Sequence, residues 1–152
     1  PLGASFEDPT GKRYRFFQMH TVLINDVSAA GEILVWQAKA YVATQDVSAG
    51  LGYNSSNSAN AAGFSLAILK ESTSATTYYG WLQIAGFVDN ALVDTGTDAA
   101  GEALYPDPGV DTKLLSLEAD ANTMVFNRVC AQSLEADTAG VADVIADCKG
   151  SA

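Results

Sequence analysis

The stretch of sequence that decides the fold is residues 78–105, YYGWLQIAGFVDNALVDTGTDAAGEALY. It begins as an aromatic-rich strand with two inset glycines, Gly80 and Gly86, and it ends at a small-residue turn before another strand. An apolar triplet in the middle leads into Asp94-Thr95-Gly96. This segment has two possible interpretations. Either Asp94-Thr95-Gly96 is the catalytic loop of an aspartic protease, or the whole segment is a β-scaffold without catalytic chemistry.

The rest of the chain favours β-structure. From Arg13 onward, short runs rich in aromatic and β-branched residues alternate with Gly-containing turns, a pattern that predicts an all-β fold, a small antiparallel sandwich or barrel. Later strands are expected near residues 113–117, 124–130 and 141–148. At most one or two short helical turns are expected, near residues 115–121. Residues 1–12 are predicted to form an extended N-terminal arm, and residues 13–152 a single β-rich domain.

Four predicted turns share the same pattern of residue types. An Asp followed within a few residues by Gly recurs at residues 26–31, 46–50, 98–101 and 137–140. An Asp side chain can cap a tight turn, and Gly can adopt the positive φ that other residues resist. The spacing is too irregular for a repeat protein, so the recurrence indicates shared turns within one domain.

Composition narrows the function classes. The chain has 152 residues, of which 48% are hydrophobic and 17% charged, which is typical of one globular domain. Residues 1–70 carry five basic and five acidic side chains, whereas residues 71–152 carry three and thirteen. Nucleic-acid binding normally needs a basic surface, so this balance argues against it.

No apolar run is long enough to span a membrane. The first residues lack the apolar segment of a secretory signal, so we expect synthesis in a cytoplasm.

Metal and cofactor motifs do not stand out. The chain has two cysteines, Cys130 and Cys148, and one histidine, His20, with no metal-ligand spacing among them, so we expect neither a metal nor a cofactor. Both cysteines lie in apolar surroundings, which is typical of reduced core thiols, although a disulfide stays an alternative if their strands are neighbours. His20 is expected to be structural.

The protease interpretation depends on residues 91–97, which resemble the retropepsin signature. Such an enzyme joins two Asp-containing loops, so that two carboxylates share a proton and activate water. The later strand that should carry an apolar-apolar-Gly motif instead has Val144-Ile145-Ala146-Asp147. We therefore expect Asp94 to be a turn residue and the chain not to be an enzyme, with a retropepsin-like protease as an alternative.

Short signatures occur in a fixed order along residues 13–148. They are an aromatic-basic strand (residues 13–16), an Ala-Ala-Gly turn (29–31), AGFSLA (62–67), YGWLQIAG (79–86), a second Ala-Ala-Gly turn (99–101), and AQSLEA (131–136). In this order they resemble the capsid cement, or head decoration, proteins of tailed bacteriophages.

The resemblance implies a structural virion protein, made in the host bacterial cytoplasm and located on the outer surface of the head. Its partners would be the major capsid protein and itself, as a homo-oligomer with a trimer favoured. Many weak contacts over a symmetric lattice would stabilise the capsid by avidity. The locally basic first half would face the shell, and the acidic second half would face solvent.

Specific residues follow from these expectations. The capsid contacts are expected in the N-terminal region, at Phe6, Lys12, Arg13, Tyr14 and Arg15. The basic residues among them have an alternative role in blocking aberrant pairing of an edge strand. The residues expected to shape and pack the sheet are Gly31, Gly80, Trp81, Gly86 and Gly101.

A further alternative is a tail, baseplate or glycan-binding β-module. Its sugar-stacking side chains would be Tyr53, Tyr78 and Tyr79, although strand packing is the commoner role of the last two.

Overall fold

The computed structural model describes residues 1–20, 27–38, 41–55, 58–69, 78–94, 99–117 and 128–148. This part of the chain is nearly all β-structure, as the sequence predicts, with one short 3-10 turn at Val47–Ala49. The strands in chain order are β1 (Ser5–Glu7), β2 (Arg13–Met19), β3 (Val27–Ser28), β4 (Ile33–Ala38), β5 (Val42–Thr44), β6 (Ala61–Ser65), β7 (Ile68–Leu69), β8 (Tyr78–Leu92), β9 (Ala103–Pro106), β10 (Leu114–Ser116), β11 (Ala131–Ser133) and β12 (Val141–Asp147).

Strand β8 is the longest element and connects two halves of the sheet. Its residues 78–85 pair with β2, and its residues 85–92 pair with β12. The pairings β2–β5–β4–β6–β8 close into a ring because β2 also pairs with β8. We call this the first ring. Closing a sheet on itself satisfies strand edges that would otherwise stay open.

A second ring contains β8, β12, β11, β9 and β10. It is closed by a parallel bridge between Val93, just after β8, and Leu114 of β10. The neighbouring Asp94 amide donates to the Leu114 carbonyl at 2.7 Å, which strengthens this closure. The strand pairings described are antiparallel except that of β2 with β5. The short strands β3 and β7 form a separate two-stranded ribbon.

Each ring encloses its own apolar core. The first core includes Phe17, Met19, Leu34, Trp36 and Leu82, all at most 1% exposed. The second includes Val88, Leu104, Leu114 and Val144, together with Ile33 and Phe64 from the neighbouring ring. Strand β4 therefore contributes to both cores, which explains its continuous apolar run of Ile, Leu, Val and Trp. Burying each large apolar side chain stabilises the fold by roughly 1.5–3 kcal/mol.

The outcome for the later elements is mixed. The strands expected near residues 113–117 and 141–148 are confirmed as β10 and β12. The helical turns expected near residues 115–121 are wrong at Leu115 and Ser116, which belong to β10 and pair with β9. Pairing across the sheet overrides the weak helical pattern there. Residues 118–121, and residues 124–127 of another expected strand, lie outside the described part. That expected strand is wrong at residues 128–130, which precede β11 and are not in a strand.

The predicted turn chemistry is largely confirmed. Gly31 and Gly101 adopt φ of 86° and 92°, in the region that favours glycine. Asp46 caps the 3-10 turn, accepting from the amides of Ser48 at 2.9 Å and Ala49 at 3.2 Å. The hydrogen bond from the Ser48 hydroxyl lowers the pKa of Asp46. Gly50 differs, with an extended conformation at φ of −70°. Asp26 and Asp98 lie outside the described residues.

Candidate functional site

The N-terminal segment lies on the surface of its own domain. Strand β1 pairs antiparallel with β2, with Phe6 opposite Tyr14 and Glu7 opposite Arg13. Residues 1–12, expected as an extended arm, instead fold onto the domain, with turns on either side of β1, which forms the first strand of a hairpin. The Gly3 amide also donates to the Phe16 carbonyl at 2.9 Å.

Asp8 holds the hairpin turn. Its carboxylate accepts from the Thr10 hydroxyl at 2.6 Å, from the Thr10 amide at 2.9 Å and from the Lys12 amide at 3.1 Å. The Tyr14 hydroxyl donates to the other carboxylate oxygen at 3.1 Å. These hydrogen bonds, that from Thr10 first, lower the pKa of Asp8. The pKa of Tyr14 is raised, chiefly by burial and then by its hydrogen bond to Asp8.

Five aromatic side chains from β1, β2 and β8 cluster on the outside of the sheet, and we call them the aromatic face. They are Phe6, Tyr14, Phe16, Tyr79 and Trp81. Phe6 stacks on Tyr14 and meets Trp81 edge-on, each with ring centroids 4.9 Å apart. Phe16 contacts Trp81 at 5.1 Å and Tyr79 at 6.0 Å. Phe6, Tyr79 and Trp81 remain 48%, 53% and 36% exposed, so this is a contiguous apolar surface in solvent.

The period of β2 explains this arrangement. Side chains alternate across a strand, so Phe17 and Met19 enter the first core while Tyr14 and Phe16 face outward. The same alternation in β8 buries Leu82 and exposes Tyr79 and Trp81. Further along β8, Phe87 faces Ile145 of β12, and Lys12 Nζ lies 5.8 Å from the Phe87 ring centre.

A cleft of about 380 Å³ lies at the junction of β1, β2, β8 and β12, and Phe6 is the residue that it shares with the aromatic face. It is lined by Ser5, Phe6, Glu7, Arg13, Arg15, Ile84, Asp147 and Cys148. Ala85 is the strand partner of both Arg13 and Asp147, so the start of β2 meets the end of β12 here. The Arg15 guanidinium also lies 5.8 Å from the Tyr41 ring centre. Two arginines and two carboxylates therefore share this cleft.

The five residues predicted as capsid contacts are brought together in this region. Phe6 and Tyr14 belong to the aromatic face, Arg13 and Arg15 line the cleft, and Lys12 lies over Phe87. Sequence reasoning missed Phe16 as a surface residue. Successive side chains of a strand point to opposite sides, so a buried Phe17 would have indicated an outward-facing Phe16. Sequence reasoning also missed Asp147 and Cys148, which come from the distant strand end of β12.

The residues expected to shape the sheet have different environments. Gly31 and Gly101 lie in the turns before β4 and β9, and Gly80 and Gly86 lie within β8. Trp81 packs outside the sheet against Phe6 and Phe16. The tryptophan inside the first core is Trp36.

Asp94 of the protease alternative lies beside Asp107, which follows β9. Burial, and then hydrogen bonding and charge repulsion from Asp94, raise the pKa of Asp107. Asp107 is only 5% exposed, and its carboxylate accepts from the amides of Gly109 at 2.7 Å and Val110 at 3.2 Å. This binding shapes the loop between β9 and β10, and it leaves the Asp107 carboxylate little access to a substrate. Thr95 and Gly96 lie outside the described residues.

The sugar-stacking alternative receives support at one of its three tyrosines. Tyr79 is exposed in the aromatic face. Tyr53 packs against Val35, Val47 and Ala59, and its hydroxyl donates to the Pro108 carbonyl at 3.2 Å, which is a structural role. The side chain of Tyr78 lies outside the described part.

Few other groups among the described residues are arranged for chemistry. Within them, no group of three or more His, Cys, Asp or Glu side chains is arranged to hold a metal ion. His20 lies near Asp46 and helps lower the pKa of that carboxyl. None of the helical segments that the structure describes is long and apolar enough to cross a membrane.

No protein-family model, curated protein or solved structure shows significant similarity to the chain.

Proposed function

We propose that this chain is a structural virion protein that binds the outer surface of a phage head and stabilises the capsid lattice. The aromatic face is the observation that carries the proposal, and the order of sequence signatures supports it. The face would contact the major capsid protein.

The chemistry of the face favours a protein partner. Contiguous exposed apolar surface on a folded domain is typical of interaction sites. Aromatic side chains contribute much of the binding energy at protein interfaces, and here Phe6, Tyr79 and Trp81 are exposed together. The rings already pack on one another, so little side-chain entropy would be lost on binding.

The charge distribution supports the same orientation. Lys12, Arg13 and Arg15 belong to the same N-terminal hairpin as Phe6 and Tyr14, whereas the net charge of −10 comes from residues 71–152. A capsid surface with acidic groups would attract the basic side and leave the acidic side in solvent. As the first strand in the sheet order, β1 also offers a backbone edge to which a capsid strand could add.

Binding to undecorated heads tests the proposal. Wild-type chain should co-sediment with the heads and raise their resistance to heat and to chelators. Phe6→Ala and Trp81→Ala should each weaken binding by about tenfold or more, the range for central interface residues. Leu134→Ala is the matched control, because Leu134 is 44% exposed but lies outside the aromatic face.

The controls separate a lost contact from a lost fold. Each variant should keep the circular dichroism spectrum of the wild type. Failure of the wild-type chain to bind heads, or equal loss of binding in Leu134→Ala and Trp81→Ala, would reject the proposal. Sedimentation of the free and bound protein would test the expected trimer.

Glycan binding is a second candidate, favoured by the exposure of Tyr79 and Trp81. Aromatic rings of this kind can stack on sugars. Titration with host polysaccharide distinguishes the two candidates: saccharide binding that is lost in Tyr79→Ala, without any binding to heads, would favour the glycan-binding module.

A further inference from the structure

The two cysteines, distant in sequence, are neighbours in the fold. Cys130 directly precedes β11 and Cys148 directly follows β12, and these strands pair with Ala131 opposite Ala146. The Asp147 amide donates to the Cys130 carbonyl at 2.8 Å, and the Cys148 Sγ lies 3.7 Å from the same oxygen. Both are free thiols in the second core.

The two thiols differ in access. Cys148 is 6% exposed and lines the cleft, whereas Cys130 is 1% exposed and lies behind it. A hydrogen bond with the Cys148 thiol, together with burial, raises the pKa of Cys130 well above its usual range. A reagent in the cleft would therefore meet Cys148 first, with Cys130 as a protonated neighbour within reach.

We propose that Cys148 and Cys130 form a thiol–disulfide modification site that small-molecule disulfides reach through the cleft. Cys148 is the entry thiol and Cys130 the resolving thiol. The proposal rests on the cleft and the strand pairing, so it is independent of the proposed capsid function.

The chemistry occurs in two exchange steps. The Cys148 thiolate attacks one sulfur of the reagent, forms a mixed disulfide and releases one reagent thiol. The Cys130 thiol then gives up its proton and attacks the Cys148 sulfur, which closes the Cys130–Cys148 disulfide and releases the second reagent thiol. The two protein thiols are oxidised, the reagent disulfide is reduced to two thiols, and the two protons pass to the leaving thiolates.

The product fits the fold because it joins strands that are already paired. The register sets Cys130 opposite Asp147, so Cys148 is its diagonal neighbour, and the two thiols are close enough to hydrogen-bond to one another. The crosslink closes the chain between β11 and β12 and restricts the unfolded state. The thermal midpoint should rise by about 5–10 °C.

The experiment exposes the full-length chain to oxidised glutathione and follows intact mass after alkylation of the remaining thiols. The folded wild type should lose both free thiols, retain no glutathione and stay monomeric on a non-reducing gel. Cys130→Ser should instead accumulate glutathione on Cys148, because the resolving thiol is missing. Cys148→Ser should resist modification while folded and be modified when unfolded in urea.

Three results would overturn the proposal. In the first, the folded wild type keeps both thiols under conditions that oxidise the urea-unfolded chain. In the second, crosslinks form between chains. In the third, Cys148→Ser is modified as fast as the wild type. If a serine variant fails to fold, peptide mapping of the wild type during the reaction decides. Glutathione should appear on Cys148 before the internal disulfide, and its appearance first on Cys130 would contradict the order.

Discussion

At the scale of single residues, Asp107 shows how burial turns a carboxyl group into a pH-dependent element of the fold. Its pKa is raised, first by burial and then by Asp94, against the hydrogen bonds from the Gly109 and Val110 amides. The folded state therefore binds a proton more tightly than the unfolded state. The stabilisation from Asp107 is fully present below its unfolded pKa and is lost as the pH rises through its folded pKa.

Replacement of Asp107 by Asn tests this sign. The amide oxygen can still accept from the Gly109 amide, while the charge beside Asp94 is removed. We expect Asp107→Asn to be more stable than the wild type at neutral pH, with a difference that shrinks as the pH falls towards 4, near the ordinary value of 3.8. Urea unfolding at several pH values measures it. A variant less stable than the wild type at neutral pH would show that the charged form is preferred.

The two thiols also belong to this scale. No short-range pattern connects Cys130 with Cys148, and the reactivity that we propose for them depends on burial and on the cleft that Cys148 lines. A sequence can state that both are apolar in context, but only the pairing of β11 with β12 makes them partners.

At the scale of elements, the turns before β4 and β9 share the same local sequence but differ in their surroundings. An added Cβ at Gly31 would overlap with the Asn90 carbonyl oxygen of β8. At Gly101 the nearest atom to an added Cβ is Gln132 Nε2, at 4.0 Å. Both glycines have positive φ, so alanine is strained at each, but only Gly31 also lacks space.

This difference predicts unequal costs for the same substitution. Gly101→Ala should lower the free energy of unfolding by about 1 kcal/mol, the cost of the left-handed conformation. Gly31→Ala should lower it by about 3 kcal/mol, because displacement of the β8 backbone adds to that cost. Chemical denaturation of the two variants checks the ranking. Equal effects would mean that β8 moves easily at Asn90.

The N-terminal hairpin is also decided at this scale. The sequence of residues 1–12 indicates an extended segment, and Asp8 supplies a turn through its side chain. Packing of Phe6 on Tyr14 and Trp81 then holds β1 against its own domain. The arm thereby becomes part of the surface that we propose as the capsid contact.

At the scale of the whole molecule, the sharing of β8 makes the two rings interdependent. Loss of β8 from either ring would open both cores to water. Leu34 belongs to the first core and Leu104 to the second, and both are fully buried. Leu34→Ala and Leu104→Ala should each lower the free energy of unfolding by about 2–5 kcal/mol.

A single cooperative transition is expected in the wild type and in both variants, as in most single domains of this size. With Trp81 replaced by Phe, the remaining fluorescence of Trp36 reports mainly on the first ring, since this tryptophan is fully buried there. Hydrogen exchange of β11 and β12 amides reports on the second. Coincident midpoints support the shared strand, whereas separate transitions for the two reporters would show that the rings unfold independently.

The sequence by itself determined the all-β class, the positions of β2 and β12, and the turn roles of Asp46, Gly31 and Gly101. These features depend on the alternation of side chains and on turn chemistry within a few residues. It also located Phe6, Lys12, Arg13, Tyr14 and Arg15 as candidate contact residues, because aromatic and basic side chains are dense in that short segment.

Only the tertiary structure decided the closure of two rings around β8, the aromatic face, the cleft, and the neighbours Asp94 with Asp107 and Cys130 with Cys148. Each depends on the register between strands that are distant in sequence, such as Phe16 opposite Trp81. Local patterns state which face of a strand is apolar, but they do not state which strand covers its edge. That choice is made by burial and hydrogen bonding over the whole sheet.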